Sequence, residues 1–199
     1  MHLRHVFLLL AVAAAARATT VEPPAFSELV AEADAIYRGR VIDVQSRRVS
    51  GPGGASTLKT FVTLAIDRTL KGSGQKEIVL QFLGGTVGDE TLEIDGVPGF
   101  TVGDREILFV QKNGAQFCPL VRVMHGRYRV ARDEASGRDY VARDNRAPLT
   151  DVAEVAAPLP HTAEMPAAPL AVARALSPEA FEAQISAELS REIPVANRP

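Results

Sequence analysis

The residues best suited to chemistry lie in a glycine-rich, acidic stretch from Gly84 to Val110. It contains six glycines and one proline, and its carboxylates include Asp89, Glu90, Glu93, Asp95 and Asp104. Paired carboxylates can act as general acid and base, and their oxygens also bind Ca²⁺. No EF-hand spacing is present, and no helical pattern follows the first glycines to aim amide groups at a phosphate. The simplest interpretation is a solvated acidic loop.

Other candidate nucleophiles and metal ligands are few. Beyond residue 18 the histidines are His125 and His161, and the only cysteine is Cys118. A zinc site needs several His, Cys or carboxylate ligands together, which the neighbourhood of His125 does not offer. No serine has the G-x-S-x-G setting of a hydrolase nucleophile. We therefore predict no catalytic residue, no metal site and no cofactor. Cys118 is expected to be a buried apolar residue, with an intermolecular disulfide as the alternative.

The glycine loop is expected to be ordered and to carry recognition. Val97-Pro98-Gly99-Phe100 fits a type II turn, with glycine at the position that needs a positive φ. The apolar run Ile107 to Val110 then has the length of a buried strand. Loops held by a rigid sheet commonly carry binding residues. The candidate binding residues are Gly85, Gly88, Asp89, Glu90, Asp95, Pro98 and Phe100.

Hydrophobic periodicity predicts a mainly β fold with short connections. Phe26, Leu29, Val30 and Ala33 have helical spacing, and alternating apolar residues follow with a parity shift near Gly39 that indicates a bulge. Asn113-Gly114 between two β-like segments predicts a type I′ hairpin. The expected strands are 34–49, 57–70, 76–83, 106–112, 116–121, 127–132 and 139–143. Antiparallel strands with such short connections favour a small barrel or sandwich over residues 19–145.

The two ends of the chain differ from this domain. A signal peptide is predicted over residues 1–18, with a retained anchor as the alternative. The pattern consists of basic Arg4, an uncharged apolar run from Val6 to Ala16, and small residues at the expected cleavage site, Ala16-Arg17-Ala18. Without Arg4 and Arg17 the charge is 20 − 24 = −4, which argues against nucleic acid as the main partner. We expect export to the periplasm or the medium, without membrane insertion after cleavage.

Composition changes again after the last predicted strand. Residues 146–176 are rich in Pro and Ala without a strand or helix period, which predicts a linker. Ser177-Pro178-Glu179 then supplies an N-cap, a first-turn proline and a first-turn acid. We predict a C-terminal helix from there to about Arg191, followed by a tail, within residues 177–199. Phe181, Ile185 and Leu189 give this helix an apolar stripe with which to dock.

Part of the chain resembles known modules. The segments that carry the resemblance are Phe26-Ser-Glu-Leu29-Val30, Ala33-Asp34-x-Ile36, Gly39-x-Val41 and Leu70-Lys71-Gly72. They resemble netrin-type modules and the tissue inhibitors of metalloproteinases, and the stretch with Pro98, Phe100 and Gly103 resembles a family of uncharacterised exported bacterial proteins. The resemblance covers roughly residues 26–112 and implies a five-stranded OB-like barrel. The inhibitors' metal chelation by an amino-terminal cysteine does not carry over, because Thr19 is the expected first residue.

Three functions fit these observations. The leading interpretation is a non-enzymatic exported module that binds another protein, with a secreted peptidase as one candidate partner. A hydrolase that uses carboxylates of the glycine loop is the first alternative, and it requires a concave pocket holding two acids, one of them with a raised pKa. A structural envelope protein tethered through the C-terminal helix is the second.

Overall fold

The computed structural model describes residues 21–51, 54–159 and 169–192, and the predicted signal peptide lies outside these ranges. Across these ranges the chain forms eight strands, three α-helices and two short 3₁₀ turns, Val123–Gly126 and Val152–Ala156. The helices are α1 (Phe26–Glu32), α2 (Pro169–Arg174) and α3 (Pro178–Glu192). The strands are β1 (Ala35–Ser50), β2 (Ser56–Lys71), β3 (Glu77–Leu83), β4 (Gly85–Val87), β5 (Glu90–Leu92), β6 (Arg105–Val110), β7 (Arg127–Arg132) and β8 (Asp139–Arg143).

Six strands form one antiparallel sheet, in the order β3-β2-β1-β6-β7-β8, and β4 and β5 form a small second sheet. The prediction of a mainly β fold is therefore confirmed. The predicted barrel is not confirmed, because no pairing between described residues joins β3 to β8 and the large sheet keeps two ends. β6 pairs with β1 along Ala35 to Arg40, whereas β2 follows β1 over nearly its whole length.

The long β1–β2 hairpin bends where the sequence predicted a bulge. The register between the two strands shifts between Arg38 and Gly39, and again between Val41 and Asp43. A Cβ on Gly39 would lie 2.2 Å from the carbonyl oxygen of Ala65, closer than any side chain tolerates. Glycine is needed here because the neighbouring backbone occupies the space of a side chain.

Each face of the sheet carries its own apolar core. On one face α1 and α3 pack against β6, β7 and β8 through buried residues that include Leu29, Val30, Phe109, Tyr128, Phe181 and Ile185. The opposite face buries Val62, Leu64, Leu80, Phe82, Leu108 and Cys118, and partly buried Val97 and Phe100 of the glycine loop pack against it. The helices therefore cover one face, and the glycine loop covers part of the other.

The predicted Asn113-Gly114 hairpin is wrong in its details. The residues with positive φ are Lys112 and Gly114, at 47° and 82°, and the backbone N–H of Ala115 donates to the carbonyl oxygen of Lys112 at 3.0 Å. The strand predicted over 116–121 reduces to an isolated bridge between Leu120 and Val110.

Asn113 serves instead as a cap for the outer edge of β3. Its Oδ1 accepts from the backbone N–H of Gln81 at 3.0 Å, and its Nδ2 donates to the carbonyl oxygen of Val79 at 2.8 Å. The N–H of Leu83 donates to the carbonyl oxygen of Phe117 at 2.7 Å. These bonds satisfy an edge that would otherwise pair with other chains.

The region predicted as a linker is partly folded. Leu149 and Val155 are fully buried, Val152–Ala156 forms a 3₁₀ turn, and α2 lies within the same region. The prediction that this region lacks helical structure is wrong for those segments, and residues 160–168 lie outside the described residues. The division of the chain into these domains stays a prediction.

The C-terminal helix belongs to the fold. Ser177 Oγ accepts from the N–H of Ala180 at 3.1 Å, which confirms the predicted N-cap. Buried Glu182 accepts from Arg38 at 3.0 Å and from Arg68 at 2.8 Å, and this attaches α3 to β1 and β2. Its apolar stripe packs inside the protein, where Phe181 and Ile185 are buried and Leu189 is partly buried.

Candidate functional site

A groove of about 720 Å³ lies between the glycine loop and the sheet. Its floor is formed by Val44 of β1, Thr60 and Val62 of β2, and Phe82 of β3. One wall is the β4–β5 hairpin, and the other is the segment from Glu93 to Phe100. The volume lies within the range of roughly 300–1,000 Å³ typical of ligand pockets, which are likewise mostly apolar with a few polar groups.

Close approach of β4 to the sheet shapes the first wall. Gly85 has a φ of 129°, and a Cβ at this position would lie 2.3 Å from Thr60 Oγ1 and 2.4 Å from Ser46 Oγ. Thr60 Oγ1 donates to the carbonyl oxygen of Gly84 at 2.8 Å and lies 2.9 Å from Ser46 Oγ. Only glycine lets the backbone sit against these two hydroxyls, so Gly85 has a structural role in building the groove.

The second wall is held by an aromatic contact and a buried arginine. The ring of Phe100 packs against Phe82 with centroids 5.1 Å apart, and the guanidinium carbon of Arg127 lies 4.1 Å from the centroid of Phe100. Arg127 Nη1 also donates to the carbonyl oxygen of Gly99 at 2.6 Å. Arg127, which lies on β7, therefore fixes the end of the loop through both backbone and ring.

Arg127 is paired below the loop with a buried carboxylate. Its Nη2 donates to Glu106 Oε1 at 2.6 Å, and its Nε lies 3.2 Å and 3.3 Å from the two Glu106 oxygens. Both side chains are fully buried, and Asp104 and Asp144 add longer contacts of 3.3 Å and 3.2 Å. Burial raises the pKa of Glu106, while the hydrogen bonds from Arg127 act in the opposite direction.

Sequence reasoning did not identify this ion pair. Glu106 directly precedes the apolar run of β6, and Arg127 occupies the first position of β7. The sequence signal for such a pair is a charged residue in a strand whose apolar pattern indicates burial, because buried charges are almost always paired. The partner is 21 residues away, so periodicity alone does not identify it.

Four of the seven predicted binding residues line the groove: Gly85, Asp95, Pro98 and Phe100. The other three are not on the groove lining: Gly88 and Asp89 form the turn between β4 and β5, and Glu90, the first residue of β5, pairs with Arg48 of β1. The predicted residues thus fall into two groups, four on the groove lining and three outside it.

The predicted turn is also displaced. Gly99 does not have a positive φ; Gly96 does, at 78°, and the N–H of Val97 donates to the carbonyl oxygen of Ile94 at 3.2 Å. The turn therefore spans Ile94 to Val97. This places the exposed side chains of Glu93 and Asp95 on the groove lining.

The groove contains two carboxylates and no described basic residue. Glu93 and Asp95 make no hydrogen bond or ion pair with any other described residue. Within the same ranges, no group of three or more His, Cys, Asp or Glu side chains is placed to hold a metal ion. The groove can therefore offer apolar contact, the hydroxyl groups of Thr86 and Thr91, which lie 3.0 Å from each other, and negative charge at its rim.

The histidine and the cysteine weighed as chemical groups are both buried. Burial raises the pKa of Cys118 to about 12, so its thiol is protonated at neutral pH. Burial, with the nearby positive charge of Arg143, lowers the pKa of His125 to about 4. The expectation that Cys118 is a buried apolar residue is confirmed, since its side chain belongs to the core beneath the glycine loop.

Comparison with known proteins does not assign the chain to a family. No protein-family model matches this chain, and no curated protein sequence matches it either. Among the residues that the structure describes, no helix is both long enough and apolar enough to cross a membrane.

Proposed function

We propose that the chain is a non-enzymatic exported module that binds another protein through the groove under the glycine loop. The observation that carries this proposal is the open groove itself, with an apolar floor and walls held by Gly85 and Arg127. Walls fixed in this way need little reordering when a ligand enters, which favours binding. A secreted peptidase is the partner class to test first, on the strength of the resemblance to metalloproteinase inhibitors.

The fold relationship belongs to the same proposal. An antiparallel sheet with a bulged long first strand is compatible with an opened relative of the OB-like barrels, since bulges bend the strands of barrels. Export rests on the predicted signal peptide. Both parts are supported by sequence patterns and not by the groove.

The test compares two variants, in each of which a threonine on a strand is replaced by tryptophan. Thr91→Trp places a large side chain in the groove, because exposed Thr91 of β5 lies on its lining. Thr63→Trp places the same side chain on the opposite face of β2, since Thr60 and Val62 face the groove and side chains alternate along a strand.

Each purified chain is used as bait against the periplasmic and secreted proteins of cells that express it. We expect one stoichiometric partner with the unsubstituted chain and with Thr63→Trp, and loss of that partner with Thr91→Trp. Equal retention by both variants would show that the groove is not the binding site.

The hydrolase alternative is favoured by one observation. A second groove, of about 360 Å³, has Asp104 and Glu106 on its lining, and the pKa of Glu106 is raised by burial. A buried carboxyl group with a raised pKa is a candidate for acid–base catalysis. However, both Glu106 oxygens accept hydrogen bonds from Arg127, so this carboxylate is occupied. Hydrolysis of peptide, ester or glycoside substrates that is lost in Asp104→Asn would support the alternative.

A further inference from the structure

The geometry points to an extended peptide segment as the occupant of the groove, an inference that rests on the proposed function. This peptide presents an apolar side chain beside a lysine or arginine. Three properties of the groove define this chemistry: its floor, its charge and its free backbone groups.

The floor selects an apolar side chain. Val62 and Phe82 are buried members of the core, and Val44 and Phe100 are partly buried and pack against that core. Val62 and Phe82 have almost no surface left to cover, so a side chain placed on the floor would remove apolar surface of Val44 and Phe100, together with its own, from water. Such burial contributes about 25 cal/mol for each Å² removed.

The rim selects a positive charge. Glu93 and Asp95 are the only charged residues on the described lining, and both are exposed. Neither makes an ion pair with another described residue, whereas Glu90 on the same hairpin is already paired with Arg48. A cation brought beside the groove therefore meets two uncompensated carboxylates, and a carboxylate there would be repelled.

The backbone of the same wall selects a peptide. Between Glu93 and Phe100, the backbone bonds are one turn bond at Val97 and the carbonyl of Gly99 held by Arg127. The N–H groups of Glu93 and Asp95 have no acceptor among the described residues. Carbonyl oxygens of an extended main chain can accept from these two N–H groups, while its side chains enter the floor and rim.

A solvated acidic rim without a ligand is the competing explanation, and a peptide library separates the two. A phage-displayed library of random linear peptides is selected on the immobilised full chain. We expect enriched sequences that place Lys or Arg next to an apolar residue. The best peptide is then synthesised, labelled, and titrated by fluorescence polarisation.

Two matched double variants measure the contribution of the rim charge. Glu93→Gln/Asp95→Asn removes two charges on the groove lining, and Asp67→Asn/Glu134→Gln removes two exposed charges elsewhere. Exposed charge pairs contribute only a small amount each, so we expect the first variant to weaken peptide binding about three- to tenfold and the second to leave it nearly unchanged. Added salt should reduce the difference between them, because it screens exposed charges.

The outcomes distinguish this inference from the function on which it rests. Peptides that bind at the groove without a preference for Lys or Arg, or that bind Glu93→Gln/Asp95→Asn as well as the unsubstituted chain, would overturn the charge selection and leave the binding function standing. Peptides unaffected by Thr91→Trp would show that the groove is not used. Absence of any enriched peptide would overturn the peptide occupant, and the bait experiment would then decide the function separately.

Discussion

Replacing Arg127 by methionine tests whether the buried ion pair holds the glycine loop. The change removes the guanidinium that binds Glu106, the carbonyl of Gly99 and the ring of Phe100. It leaves a carboxylate that is 0% exposed without its cation. Breaking a buried pair in this way typically costs about 3–5 kcal/mol of the free energy of unfolding, because the remaining charge is still buried.

Two further variants isolate that cause. Glu106→Leu/Arg127→Met removes both charges. We expect its free energy of unfolding to fall by about 2 kcal/mol less than that of Arg127→Met, since an apolar pair leaves no unpaired charge. Arg48→Met breaks the exposed pair with Glu90 on the groove hairpin and should cost about 0–1 kcal/mol. Urea unfolding followed by far-UV circular dichroism gives all three values.

The pH dependence of the same variants adds an independent check. The pKa of Glu106 is already raised by burial, and loss of the Arg127 hydrogen bonds raises it further. A carboxyl group with a raised pKa in the folded state binds its proton more tightly there, so its contribution to stability falls as the pH rises. The deficit of Arg127→Met relative to the unsubstituted chain should therefore shrink as the pH is lowered. A loss below about 1 kcal/mol, or a double variant less stable than the single one, would refute this account of the ion pair.

Three other predictions concern single sites. The pKa of His125 falls from 6.5 to about 4 on folding. The free energy of unfolding should therefore decrease by up to about 3 kcal/mol as the pH falls from 6.5 to 4, at about 1.4 kcal/mol per pKa unit. Urea titrations of His125→Gln should not show this decrease. The thiol of Cys118, with a pKa raised to about 12, should not react with Ellman's reagent in the folded chain and should react fully in urea; rapid labelling of the folded chain would contradict its burial. Gly85→Ala should destabilise the chain well beyond Gly88→Ala in thermal unfolding, because a Cβ on Gly85 meets Thr60 at 2.3 Å, whereas Gly88 has nothing within 4 Å and bears only a left-handed backbone cost of about 1–2 kcal/mol.

Sequence reasoning succeeded where the signal is local. The alternation along β2, the bulge at Gly39 and the N-cap at Ser177 each depend on a few neighbouring residues, and each is confirmed. Turn geometry was harder. Gly96 and Gly99 both suit a turn, and only the path of the surrounding chain places the positive φ at Gly96.

Long-range arrangement was beyond the sequence patterns. The period of two shows that a strand has an apolar face, but not whether the last strand returns to pair with the first, so the open sheet was not foreseen. The second wall of the groove depends on Arg127, which lies 28 residues from Gly99 in sequence. Glycine and acid density located the loop, and tertiary contacts determined which of its residues face the groove.

The most direct test of the central claim is site-specific photo-crosslinking in cells that produce the chain. The photoreactive residue p-benzoylphenylalanine is introduced at two threonines that do not line the groove. Thr101→p-benzoylphenylalanine stands beside it, because exposed Thr101 directly follows Phe100 at the end of the second wall, and Thr63→p-benzoylphenylalanine lies on the opposite face of the sheet. The account predicts one discrete protein adduct from the Thr101 position, none from the Thr63 position, and no adduct when lysed cells are irradiated after the best library peptide has been added. An adduct from the Thr63 position alone, or equal adducts from both, would contradict it.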